Sequence, residues 1–140
     1  MDKLRIGIIG FGTVGKGVYQ ILKGEKDTHP ILKQIEIANI VVKNISKKRN
    51  FNIEKNLLIN DPNKLIDDPS IDVIVEVMGG TDIAKNIILK SLKNGKSVVT
   101  ANKAIMARYG EEIHKVALEN RAYILFEAAV CGGIPIIEPL

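Results

Sequence analysis

The stretch that most constrains the fold is Leu4 to Gly15. The apolar segment Leu4-Arg5-Ile6-Gly7-Ile8-Ile9 runs directly into Gly10-Phe11-Gly12-Thr13-Val14-Gly15. Three glycines at this spacing carry little specificity alone; strand character before them and helical character after them supply it. Gly10 permits a tight turn, and Gly12 has no Cβ to keep a pyrophosphate off the backbone. Gly15 lets the next helix lie close to the strand, and the helix N-terminus offers free N–H groups to an anion. A dinucleotide-binding turn is predicted here.

Downstream the periodicity alternates. Val14, Val18, Ile21 and Leu22 recur at helical spacing, with Gly24 as a C-cap. His29-Pro30 sits in a polar connection and reads as surface. A second strand is expected from Ile35 to Asn44, then a weakly patterned, Asn-rich stretch with a short edge strand at Leu57-Leu58-Ile59. Asp61-Pro62 opens a short helix that Asp67-Asp68-Pro69 stops. Further strands are expected over Ile71 to Met78, Ser97 to Thr100 and Tyr123 to Glu127. Between them come helices marked by Ile83, Ile87, Ile88 and Leu92, and by Ile113, Val116 and Ala117. Such alternation implies right-handed crossovers and a Rossmann-type α/β fold, a doubly wound parallel sheet in three layers. With 140 residues, positions 1–140 suit one domain with a real core.

Composition narrows the partners. Few aromatics (4%) against abundant Ile, Val and Leu suit a sheet buried on both faces. The single cysteine, Cys131, excludes an internal disulfide framework, fits a reducing cytoplasm and reads as a small packing residue. No apolar run approaches the ~20 residues of a membrane span, and Met1-Asp2-Lys3 leads into a strand rather than a signal peptide. The net charge of +4 is spread along the chain, with one cluster at Lys47-Lys48-Arg49. That pattern predicts a solvated surface with one local anion site, and a small-molecule ligand rather than nucleic acid or a membrane.

In sheets of this kind ligands lie beyond the carboxyl ends of the strands. The positions of interest are therefore Gly10 to Gly15, Lys43-Asn44, Met78-Gly79-Gly80, Thr100 to Lys103, and Glu127 to Ile134. An acid about 20 residues past the glycines would bind the ribose hydroxyls of NAD. Counting points to Glu36, but Glu36 lies near the start of the second strand, whereas Lys43 and Asn44 stand at its end. A cation at that place accepts a 2′-phosphate, so NADP is expected, with NAD as the alternative. Lys103, at a strand's carboxyl end, is suited to polarise a carbonyl or pass a proton.

Four of these motifs together resemble one family. Gly10-Phe11-Gly12-Thr13-Val14-Gly15, Val75-Glu76-Val77-Met78-Gly79-Gly80, Val99-Thr100-Ala101-Asn102-Lys103-Ala104 and Phe126-Glu127-Ala128-Ala129-Val130-Cys131-Gly132-Gly133-Ile134-Pro135 are similar, in this order, to homoserine dehydrogenase. The resemblance implies a cytoplasmic oxidoreductase interconverting L-homoserine and aspartate 4-semialdehyde with NAD(P), on the route to threonine, methionine and isoleucine. It puts Phe11, Thr13 and Val14 around the pyrophosphate and Lys43 near the adenosine ribose. Gly79 and Thr100 lie toward the nicotinamide ribose, and Lys103 beside nicotinamide and substrate. It also implies a sodium ion held at Glu127, Val130, Gly132 and Ile134; a hard cation wants oxygen ligands, and a glycine-rich loop aims backbone carbonyls. The family's catalytic and dimerising domain would follow Leu140. The 140 residues alone are expected to bind cofactor and to catalyse poorly, the longer enzyme being a homodimer. A stand-alone nucleotide-sensing domain is the alternative from another class, but such domains carry an acid at the end of the second strand. Another semialdehyde or sugar dehydrogenase stays open on fold alone.

Overall fold

A computed structural model describes residues 2–24 and 29–126. Among the described residues six strands form one sheet: β1 (Leu4–Ile9), β2 (Ile35–Val41), β3 (Leu58–Ile59), β4 (Val73–Glu76), β5 (Ser97–Thr100) and β6 (Ile124–Leu125). All pairings are parallel, in the order β3-β2-β1-β4-β5-β6. The order reverses between β1 and β4, and there a crevice opens at the carboxyl ends. Four α-helices cover the faces: α1 (Thr13–Leu22), α2 (Asn63–Ile66), α3 (Asp82–Lys93) and α4 (Lys103–Glu119). Short 3-10 turns precede β2 (Pro30–Gln34) and β3 (Lys55–Leu57).

Strand alternation explains the layers. Ile6 and Ile8 point to one face, where they pack with Tyr19 of α1 and with Ile37, Ile40 and Val75. Ile9 points to the other, against Leu65 of α2, Ile87 and Ile88 of α3, and Ile105 and Ile113 of α4. Each buried aliphatic side chain contributes about 1.5–3 kcal/mol, so these two apolar layers dominate the stability. Gly7 is small because Leu65 lies over it; a Cβ there would sit 2.6 Å from Leu65 Cδ1.

The structure corrects several expectations. The buried stripe of α1 is Gly15 and Tyr19, with Val18 and Leu22 half-buried, while Val14 is 52% and Ile21 44% exposed. The cause is Gly15: its close approach to the strand rotates the helix so that positions 15, 18, 19 and 22 face the sheet. Likewise Ile83, 64% exposed, yields to Ala84 as the first buried residue of α3. β2 ends at Val41, before Lys43-Asn44, because the chain turns once Val42 N–H has bonded Ile59 O. β4 spans four residues rather than the eight of Ile71 to Met78, and β6 only two. β4 matches the four residues of its neighbour β5, Ser97 to Thr100, whereas β6 pairs with Val98 and Val99 alone.

Candidate dinucleotide site

The glycine turn is built as its residue types require. Gly10 has φ +107°, and a Cβ there would lie 2.8 Å from the Met78 backbone. Gly15 touches the turn itself, since a Cβ would stand 2.4 Å from Gly10 O. Around the Cβ position of Gly12, by contrast, nothing lies within 4 Å. That emptiness at the start of α1 is the cradle a pyrophosphate would fill. The first turn of α1 carries no acidic residue, so its partial positive charge is uncompensated.

Beside the turn opens a cleft of about 710 Å³, lined by Gly10, Phe11, Gly12, Lys16, Lys43, Asn44, Lys47, Lys48, Arg49, Asn50 and Met78, with Ile9, Val41 and Val42 at its floor. Thus Gly10, Phe11, Gly12 and Lys43 line one cleft. Lys16 joins them without having been anticipated; its signal was a lysine in the first turn of a helix that begins with a glycine fingerprint. Arg49 has a different task from its lysine neighbours. Its guanidinium donates to Asn44 O (2.8 Å), Lys47 O (3.0 Å) and Ile45 O (3.4 Å), and so staples the basic loop. Phe51 then holds that loop to the turn, edge-on to Phe11 (centroids 5.4 Å) and to Tyr19 (5.9 Å). Glu36 sits at the amino end of β2, paired with Arg5 at 3.1 Å, and is remote from the cleft. The acid that a nucleotide-sensing domain carries at the end of β2 is replaced here by exposed Lys43 and Asn44.

The remaining predicted residues follow along the same sheet edge, outside this cleft. Thr13 and Val14 open α1. Gly79 and Gly80 take φ +76° and +78° in the turn after β4. Thr100 ends β5 and is 1% exposed, so its hydroxyl faces inward. Lys103 is the first residue of α4, exposed and beyond the end of β5. Asn102 caps that helix, its Oδ1 accepting from Ile105 N–H (3.2 Å) while its Nδ2 donates to Gly80 O (2.6 Å). His114 is exposed on α4, and His29, read as a surface residue, is exposed at the start of its 3-10 turn. Glu127, Val130, Gly132 and Ile134 lie outside the described residues, as does Cys131. Among the described residues no group of three or more His, Cys, Asp or Glu is placed to hold a metal. No helix among them is long and apolar enough to cross a membrane.

A parallel sheet with a 3-2-1-4-5-6 order, a glycine turn at the switch point and a cationic cleft beside it define a dinucleotide-binding domain. The sequence matches the family described as homoserine dehydrogenase, NAD binding domain, over residues 10–127, and the chain belongs to that family. It is 44% identical over 137 residues to homoserine dehydrogenase of Synechocystis sp., covering 98% of this chain and 32% of that one. The Bacillus subtilis enzyme is 42% identical over 142 residues, covering 100% and 33%. Among solved structures, a homoserine dehydrogenase from Thiobacillus denitrificans superposes with a TM-score of 0.84 at 36% identity, over 99% of this chain and 32% of that one. A hyperthermophilic archaeal homoserine dehydrogenase in complex with NADPH gives 0.76 at 27%, over 96% and 47%. The chain thus spans about a third of the length of the curated relatives it matches.

Proposed function

We propose that this chain is the cofactor-binding part of an NAD(P)-dependent homoserine dehydrogenase that interconverts L-homoserine and L-aspartate 4-semialdehyde in threonine, methionine and isoleucine biosynthesis. The observation that carries the reading is the open cleft at the carboxyl edge, where an acid-free helix start meets Lys16, Lys43, Lys47 and Lys48. NADP is the preferred dinucleotide, because cations rather than an acid follow β2; the NADPH complex of the archaeal relative supports this choice. When bound, the nicotinamide supplies or accepts the hydride. The chain's own residues do the rest. Gly10, Gly12 and Gly15, with Phe11, Thr13 and Val14, hold the pyrophosphate at the start of α1. Lys43 meets the 2′-phosphate, and Gly79 and Thr100 line the way to the nicotinamide ribose. Lys103 donates a hydrogen bond to the substrate oxygen and stabilises the negative charge that grows there on reduction.

Residues 1–140 serve as one domain in this reading. In this reading the carboxylates that bind the substrate, a second catalytic lysine and a homodimer contact belong to the length of the relatives that the chain does not span. A sodium ion at Glu127, Val130, Gly132 and Ile134 rests on the resemblance and on the preference of a hard cation for oxygen donors. A cytoplasmic location follows from the biosynthetic role. Titrating the chain with NADPH and NADH by nicotinamide fluorescence tests the cofactor choice. NADPH should bind more tightly, and Lys43→Ala should weaken NADPH about tenfold, the scale of a lost charge-assisted bond, with NADH nearly unchanged. Tighter NADH binding would overturn the choice. Absence of homoserine oxidation by the cofactor-saturated whole enzyme would overturn the activity.

A further inference from the structure

One ionisable group at the site is wholly buried. Glu76, the last residue of β4, is 0% exposed and stands in register between Ile9 of β1 and Thr100 of β5. The sheet interior is a costly place for a carboxylate unless its oxygens are bonded. Both are: Oε1 accepts from Met78 N–H (3.0 Å), and Oε2 accepts from the Thr100 hydroxyl (2.6 Å). Thr100 Oγ1 in turn accepts from Asn102 N–H (3.0 Å), and the Asn102 side chain ties Gly80 O to the first turn of α4. The two arms meet different parts of the edge. One braces Met78, whose backbone abuts Gly10; the other runs through Thr100 and Asn102 to the helix that begins with Lys103.

We propose that Glu76 is a positioning residue: through the Thr100 hydroxyl and the Asn102 backbone it fixes the strand-end loop that carries Lys103, and so shapes the nicotinamide end of the site. The proposal rests on the reading that the cleft binds a nicotinamide dinucleotide with Lys103 at its redox end. Chemistry explains why an acid is needed. A carboxylate is acceptor-only, so it sets the direction of the Thr100 O–H and leaves the hydroxyl's lone pairs to Asn102. In Glu76→Gln the amide oxygen must face Met78 N–H, because the NH2 would oppose it. The NH2 then faces Thr100, whose O–H loses its acceptor. The variant keeps the Gly10 side intact and reverses the bond to Thr100: the NH2 now donates to Oγ1, the O–H must turn away, and the orientation of the hydroxyl that serves Asn102 is no longer fixed.

Equilibrium titration with NADPH and with 2′,5′-ADP, which carries only the adenosine half, separates the two ends. Glu76→Gln and Thr100→Val should each weaken NADPH about fivefold, the scale of one hydrogen bond, and change 2′,5′-ADP less than about twofold. The double variant should be no weaker than either single one, since both cut the same arm. Amide exchange at Asn102 should quicken in Glu76→Gln while that at Met78 holds. Equal losses for both ligands, multiplying losses in the double variant, or no loss at all would overturn the proposal. A parent chain that prefers NADH overturns only the cofactor choice, and the variants are then read with NADH against ADP. A parent that binds neither dinucleotide overturns the functional reading and this proposal with it.

Discussion

Glycines at 12 and 15 look interchangeable in a motif, yet their surroundings assign them opposite tasks. The Cβ of an alanine at 15 would lie 2.4 Å from Gly10 O, a backbone atom that cannot yield cheaply. Gly15→Ala should therefore cost about 1–3 kcal/mol of stability, the range for overpacking, and lower the melting temperature. Gly12 has φ −84° and open space around it, so an alanine Cβ meets no clash there and the cost is that of a poorer N-cap, roughly 0.5–1 kcal/mol. Gly12→Ala should melt nearer the parent than Gly15→Ala does and lose NADPH affinity, because its methyl occupies the cradle. Thermal melts and titrations on the pair would check both. The motif alone named both positions, but which one serves the fold and which the ligand was a matter of what stands nearby.

At the scale of elements, α4 is the one whose start matters most to the site. Its N-cap, Asn102, accepts from Ile105 N–H and also holds Gly80 O, so one side chain joins the helix start to the turn after β4. Asn102→Ala should cost about 1–2 kcal/mol in urea denaturation, about 1 for the cap and up to a similar amount for the second bond. Asn102→Asp keeps a capping oxygen and should lose less than half of that, while releasing Gly80. Expectation and structure agree on the order of elements and on the edge strand at Leu58–Ile59. They part at phases and ends. Val14 and Ile21 fit a helical stripe as well as Tyr19 does; only the contact of Gly15 with the turn decides which stripe faces inward.

The whole molecule is polarised along its strands. At the carboxyl edge cations gather around an open cleft; at the amino edge polar groups close on one another. Arg5 pairs with Glu36 and bonds the Ser70 hydroxyl, while its backbone exchanges bonds with Asp72. Lys96, 4% exposed, donates to the carbonyls of Asp68 and Ile71. Burial lowers its pKa against the opposing pull of Asp68, Asp72 and Asp67. Asp68 is held below the usual carboxylate value, chiefly by the Ser70 hydroxyl (2.7 Å) and then by the Ser70 N–H (2.8 Å). A carboxyl depressed on folding adds stability above its unfolded pKa, and that stability disappears as pH falls through the folded value. Ser70→Ala should thus melt below the parent at pH 7. The gap should narrow as pH drops below 3.8, leaving the part due to the hydrogen bond from Arg5 to the Ser70 hydroxyl. Melting curves of the two proteins across acidic pH would measure it. A gap constant with pH would contradict the role given to Asp68.

Sequence alone determined the class of fold, the glycine turn, the absence of an acid after β2 and the edge on which the ligand-binding residues lie. Those depend on local pattern: periodicity, strand-to-helix junctions and residue type at strand ends. Tertiary structure decided that Lys16 joins the cleft and that Arg49, although in its lining, spends its guanidinium on its own loop. It also turned Glu76 from an odd charge in an apolar strand into the buried link between two motifs 24 residues apart. Parallel pairing sets Glu76 beside Thr100, and no local pattern encodes which strand lies beside which. The chemistry at the glycine turn is written in neighbouring residues, whereas the bracing of the lysine opposite it exists only once the sheet has formed.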